Sequence, residues 1–129
     1  MKFTLARNLQ GPRSRAEAWA CLTANLAWPG SGSLAAGKPV GYGQTIIALA
    51  GLIVSMATGA HLLTWMLANR ARLAQPSDNP MENLSLIWRQ IRWPLVGLGI
   101  FAVAFLWALI TSAQIMAATP KNPVPPRIV

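Results

Sequence analysis

Gly32-Ser33-Leu34-Ala35-Ala36-Gly37-Lys38 has the spacing of a phosphate-binding loop, GxxxxGK, in which backbone N–H groups cradle phosphates and the lysine reaches their oxygens. The motif needs a serine or threonine next, to hold magnesium, and the chain has Pro39. It also needs a preceding strand and a partner carboxylate, and the single aspartate, Asp78, stands in a remote polar loop. Nucleotide binding is not expected. His61, the single histidine, lies in a long apolar run, where an ionisable residue is by default a functional hypothesis. A proton path or metal site would want a second ligand or a carboxylate in reach, and Glu17, Asp78 and Glu82 all fall outside the charge-free runs. A neutral imidazole bonded to a neighbouring backbone or hydroxyl, such as Thr111 or Ser112, accounts for it. A Ser–His pair has no nucleophile motif behind it. The lone Cys21 excludes an internal disulfide and a multi-cysteine metal site. The expectation is a protein without catalytic residues, cofactor or metal, and not an enzyme.

The elements that carry these residues are read from composition. Among 129 residues, 53% are apolar and 11% charged, against roughly 25% charged in soluble domains. The charges are also segregated. No Asp, Glu, Lys or Arg occurs from Val40 to Ala68 or from Trp93 to Pro120. Each run exceeds the roughly 20 residues that cross a hydrocarbon core as a helix. The net charge of +8 would suggest nucleic acid in a soluble chain. Here the basic residues sit at segment ends, where anionic headgroups and the positive-inside bias explain them. No basic stretch alternates with aromatics as a stacking groove requires, so no nucleic-acid partner is expected. The partners expected are the lipid bilayer and either another membrane protein or further copies of the chain. No cleavable signal peptide is expected, because no apolar core follows the basic residues of 1–15 before Ala18.

Along the chain, residues 1–13 read as a polar arm. Ser14-Arg15-Ala16-Glu17 is a capping box opening a helix that runs to about Trp28. That helix reaches only about 21 Å at about 1.5 Å per residue, too short for a core of about 30 Å. Pro29 ends it by disfavouring helical geometry at Trp28 and removing a donor. Five of the ten glycines and two of the ten prolines fall between Asn25 and Gln44. Pro29, Gly30, Gly32, Gly37 and Gly41 are the candidate turn residues, and Asn25 is placed to satisfy backbone groups freed by the break. The whole broken segment, 15–37, is long enough to cross. A span over 42–68 follows. Residues 69–93 form a loop ending in a short interfacial helix, 80–92, opened by Asn79-Pro80-Met81-Glu82. Its Met81, Leu84, Ile87, Trp88 and Ile91 share one face, opposite Glu82, Ser85, Arg89 and Arg92. The last span covers 94–118, and 119–129 is a proline-rich, extended tail.

The fold class expected is thus an all-α membrane protein with three transmembrane segments, the first short and broken at Pro29-Gly30. With the broken segment crossing, Lys2, Arg7, Arg13, Arg15, Arg70, Arg72, Arg89 and Arg92 lie on one side and Lys38, Lys121 and Arg127 on the other. A re-entrant first segment gives a less biased split. The N-terminus is accordingly cytoplasmic, in an inner membrane, with Trp65, Trp88 and Trp93 as an aromatic belt.

Helix packing is the most informative pattern. Gly51, Ser55 and Gly59 make one small-residue stripe, and Ala104, Ala108 and Ser112 another. In lipid, close backbone approach through small residues is how helices associate. The second and third spans are expected to pack on each other, with one stripe facing another subunit as the alternative. Gln44 and Gln114, at one depth, are candidates to hydrogen-bond each other or a partner, and His61 is a further polar contact.

Pro29-Gly30-x-Gly32-x4-Gly37-x3-Gly41-Tyr42-x-Gln44 resembles the turn of small bacterial membrane proteins of the TM2-domain type, over about residues 20–60. Gly37-Lys38-Pro39 stands where those proteins carry an Asp-Arg-Phe turn. The resemblance implies a helical hairpin and no particular biochemistry. The function expected is a non-enzymatic scaffold or accessory subunit, with a holin-like oligomeric pore former as the alternative. The spans argue mildly against the pore, since neither shows a continuous polar stripe to line water.

Overall fold

The computed structural model describes residues 12, 14–76 and 78–120. Most of the expected N-terminal arm and nearly all of the expected proline-rich tail lie outside the described residues. The described elements are all helical: α1 (Arg15–Ala27), α2 (Ser31–Ala35), α3 (Val40–Ala68), α4 (Arg70–Leu73) and α5 (Pro80–Ala118). Two of them are long and apolar enough to cross a membrane, α3 at 29 residues and α5 at 39.

The local sequence explains where each helix starts and stops. The Ser14 hydroxyl accepts from the Glu17 N–H at 3.3 Å and opens α1. Pro29 follows its last turn, and Trp28 is already extended at φ −149°. The Ser31 hydroxyl, 2.7 Å from the Ala24 carbonyl and 2.8 Å from that of Trp28, serves the carbonyls left over at that end. α2 stops in a Schellman turn: Lys38 N–H donates to Ser33 O and Gly37 N–H to Leu34 O, both at 2.9 Å. That turn needs a left-handed residue, and Gly37 supplies it at φ +72°. α3 then begins at Val40, immediately after Pro39.

α5 differs from the expected layout. The helix expected over 80–92 and the span expected over 94–118 are one α-helix, with Pro94 inside it. An internal proline loses one hydrogen bond and crowds the preceding turn. Apolar helices tolerate this where a neighbouring group relieves the freed backbone. The change at residue 93 is in charge, from an amphipathic stretch to one without Asp, Glu, Lys or Arg, and the helix runs on through it. The intervening loop also contains α4, a single turn that the sequence did not single out.

The chain divides into two compact units. Unit 1 comprises residues 1–48 and 102–129, and unit 2 residues 49–101. In unit 1, Ala18, Cys21, Ala36 and Ile115 form an apolar cluster with Met116 packed on it. The inward positions of α5 there are Ala104, Ala108, Thr111, Ser112 and Ile115, all buried, and Thr119, just past its end, is buried as well. Their three- and four-residue spacing is one helical stripe. In unit 2 the buried positions are the glycines Gly51 and Gly97 alone among the described residues.

Candidate functional site

Unit 1 contains a buried cluster of neutral polar side chains drawn from four helices: Asn25 of α1, Ser33 of α2, Gln44 of α3, and Thr111 and Ser112 of α5. It is built outward from Asn25, which is fully buried. α2 starts at Gly30, an N-cap residue without a side chain, so the first N–H groups of that helix have no local acceptor. Asn25 supplies it from the previous helix. Its Oδ1 accepts from the N–H groups of Gly30 (3.2 Å), Gly32 (2.8 Å) and Ser33 (3.2 Å). Its Nδ2 donates to Ser112 Oγ at 2.7 Å, with Ser33 Oγ at 3.2 Å and Ala108 O at 3.3 Å. One amide thus caps α2 and ties it to α5.

The chain of bonds continues in one direction. Ser33 Oγ donates to Gln44 Oε1 and Gln44 Nε2 to Thr111 Oγ1, both at 2.8 Å. The Thr111 and Ser112 hydroxyls end it by donating to the carbonyls of Trp107 (3.0 Å) and Ala108 (2.9 Å) one turn back. Among the described residues, no buried side-chain nitrogen or oxygen lacks a partner. Each hydroxyl proton is directed to an amide or carbonyl oxygen, so no base stands beside Ser33 or Ser112 to make a nucleophile of either. Amides and alcohols do not titrate near neutral pH. What the arrangement does is join α1, α2, α3 and α5 through hydrogen bonds.

Glycines let the backbones come near enough for that cluster to close. A methyl group at Gly32 would collide with the Cys21 carbonyl, so α1 and α2 touch through backbone. At Gly41 a methyl would meet the Gly30 carbonyl oxygen at 2.6 Å and the Leu34 N–H nitrogen at 2.8 Å. Gly30 itself has φ +97° and is hemmed in by Gly41 O and the Thr45 hydroxyl. Pro29 is buried between them, and its carbonyl accepts from Thr45 Oγ1 at 3.2 Å. The turn residues Pro29, Gly30, Gly32, Gly37 and Gly41 are therefore parts of the cluster's frame.

The remaining candidates separate. Ala104, Ala108 and Ser112 are buried in unit 1, where Ser112 and Ala108 meet Asn25. Gly51 and Ser55 lie in unit 2 against Gly97. A methyl at Gly97 would sit 2.5 Å from Ser55 N and 2.9 Å from Gly51 O, and one at Gly51 would sit 2.6 Å from Phe101 N. Ser55 Oγ also donates to the Pro94 carbonyl at 3.4 Å. Gly59, the third member of that stripe, has nothing within 4 Å of an added methyl. Gln44 bonds to Thr111, while Gln114 is exposed. His61 is exposed, and the Thr111 and Ser112 hydroxyls proposed for it belong to the Asn25–Gln44 chain.

The sequence alone gives Ser33 and Thr111 no place in this cluster and does not single out Gly97. Ser33 lies inside the phosphate-loop-like pattern, as one of its variable positions, where only the glycines and Lys38 carry the motif. Gly97, with Gly99, interrupts a helix otherwise filled with Leu, Ile, Val and Phe. That interruption is the signal that could have found it. No protein family, curated protein or solved structure matches the chain.

Proposed function

We propose that this chain is a small polytopic integral membrane protein that works as a non-enzymatic scaffold or accessory subunit, through helix surfaces. The observation that carries the reading is an inversion of ordinary burial. The buried polar side chains of unit 1 are spent on one another and on backbone groups. Large apolar side chains face outward, among them Ile46, Ile53, Met56 and Leu63 of α3 and Leu98, Val103, Leu106 and Ile110 of α5. Only 11% of the apolar stretch of α3 and 28% of that of α5 are buried within the protein. Core helices of a water-soluble domain would bury most of such a stretch. Outward apolar faces of this extent fit lipid or a partner's helices.

The topology proposed has three crossings, with the N-terminus and the 69–79 loop on the cytoplasmic side of a bacterial inner membrane. α1 spans only about 20 Å at its 13 residues, so the first crossing needs α1 and α2 together. α5, at 39 residues, extends about 58 Å and outruns a core of about 30 Å, leaving its amphipathic first part for the headgroup region. The resemblance of the Pro29–Gln44 turn to TM2-domain proteins supports the same arrangement.

The test is a mild-detergent pull-down of the tagged chain from native membranes. A stoichiometric partner, released when an outward residue is made polar (Leu106→Gln), is the expected result. Recovery of self-oligomers alone, with dye leakage from vesicles that contain the chain, would overturn it in favour of a holin-like pore.

A further inference from the structure

Within unit 2, the contacts of α3 and α5 set a common depth scale. Gly51 meets Phe101 and Gly97, and Ser55 meets Gly97 and Pro94. Advancing along α3 therefore means retreating along α5, so the two helices run antiparallel. Two residues back from Pro94 is Arg92, and two residues on from Ser55 is Ala57, which puts Arg92 level with Ala57. By the same count Arg89 is level with Ala60. Beyond Ala60 α3 continues to Ala68 without Asp, Glu, Lys or Arg, about two more turns, with His61, Leu63, Met66 and Leu67 exposed. The two helices thus ask for different membrane boundaries. A bilayer that covers α3 to its end would immerse both arginines deeper than their side chains can snorkel. One that stops at Arg92 would leave about three turns of α3 that carry no Asp, Glu, Lys or Arg outside its hydrocarbon.

The arginines also crowd each other. Arg89 and Arg92 are three residues apart on one helix, where side chains are neighbours and like charges repel. The acids of unit 2 are Asp78 and Glu82, and Glu82 lies 3.6 Å from Arg72. Trp88 and Trp93 flank the pair, 59% and 54% exposed, with the Arg92 guanidinium 5.7 Å from the Trp93 ring centre. A second copy of the chain is a poor source of counter-charge, since it carries eleven basic residues against three acidic ones. An anionic phospholipid resolves both conflicts. Its phosphate drops to the depth of the arginines, which bind phosphate oxygens in forked geometry. Its acyl chains then lie along the exposed Leu95 and Val96 of the following turn.

We propose that Arg89 and Arg92, framed by Trp88 and Trp93, form a binding site for one anionic phospholipid, which thins the bilayer locally around the amphipathic part of α5. The site rests on the membrane reading above. The experiment uses the full chain, reconstituted in nanodiscs of equal parts phosphatidylglycerol and phosphatidylcholine, then released into the gas phase for native mass spectrometry. The expected result is at least one phosphatidylglycerol retained per chain in several-fold preference to phosphatidylcholine. The preference should be lost in Arg89→Gln/Arg92→Gln and kept in Arg15→Gln, an exposed arginine of unit 1. Equal retention of the two lipids by the unsubstituted chain, or loss of the preference in Arg15→Gln as well, would overturn the site while leaving membrane insertion intact. A chain that fails to enter nanodiscs and stays soluble without detergent would instead sink the membrane reading itself.

Discussion

The two units hold themselves together by different means. Unit 1 joins four helices through amide and hydroxyl side chains, with Asn25 and Gln44 fully buried and every hydrogen bond internal. Unit 2 joins two helices through bare backbone, where Gly51 and Gly97 let α3 and α5 meet with almost nothing else buried. In water, burying an amide rather than a leucine would waste apolar area. In lipid there is no such area to gain, and polar bonds or close contact are the forces left to use. The difference teaches that one chain applies both remedies, each where its backbone geometry allows. The polar remedy goes where a broken helix leaves orphan N–H groups. The glycine remedy goes where two continuous helices leave none.

The strongest way to break this contrast is Asn25→Leu. Three backbone N–H groups and the Ser112 hydroxyl oxygen lose their partner at once. At about 1–3 kcal/mol for each buried group left unsatisfied, partly relieved by rearrangement, the loss should be at least about 3 kcal/mol. Denaturation in mixed detergent micelles measures it, and a loss under about 1 kcal/mol would show that the cap is dispensable. Second comes Gly97→Val, which must push Ser55 and Gly51 aside. Overpacking of this kind costs about 1–3 kcal/mol. Disulfide trapping between cysteines placed at Ser55 and Pro94 should slow in that variant, and unchanged trapping would mean the contact is not close.

Gln44→Leu is smaller, at about 1 kcal/mol, because Thr111 keeps its bond to Trp107 and only Ser33 is left without an acceptor. Gln114→Leu, at an exposed position, should sit near zero in the same titration. The smallest effect is expected at Gly59→Ala. It meets open space and gains helix propensity, so stability should hold or rise by up to about 1 kcal/mol. A loss there as large as that of Gly97→Val would mean that Gly59 packs against another molecule.

Much of this layout could be read from local chemistry. Ser14 opening α1, Pro29 closing it and a glycine turn before α3 are rules about one or two turns of chain, and they act at the positions that carry them. The service of Asn25 to the break follows from the same local logic. Partnerships across helices were harder. Depth alone pairs Gln44 with Gln114 or with a partner molecule, yet its amide meets Thr111, one turn nearer. Depth counted from charge-free runs fixes a residue to within about a turn, and a turn is enough to exchange one hydroxyl for another. The second and third spans do pack on each other, but not stripe on stripe: Ala108 and Ser112 meet Asn25, Gly51 and Ser55 meet Gly97, and Gly59 meets nothing among the described residues. Small residues announce that something comes close without saying what.

The Pro29–Gly41 stretch would ordinarily be taken for the loosest part of the chain, since glycine and proline mark loops. Its amides say otherwise. The N–H groups of Gly30, Gly32 and Ser33 all point into a single buried oxygen. They can exchange hydrogen with solvent only when Asn25 lets go, and Asn25 is itself held by Ser112. Deuterium uptake at Gly30, Gly32 and Ser33 should therefore be slow, as in a continuous helix. The kink is a clamp whose lifetime is set by α5, so nothing that bends this protein should begin at its most breakable-looking sequence.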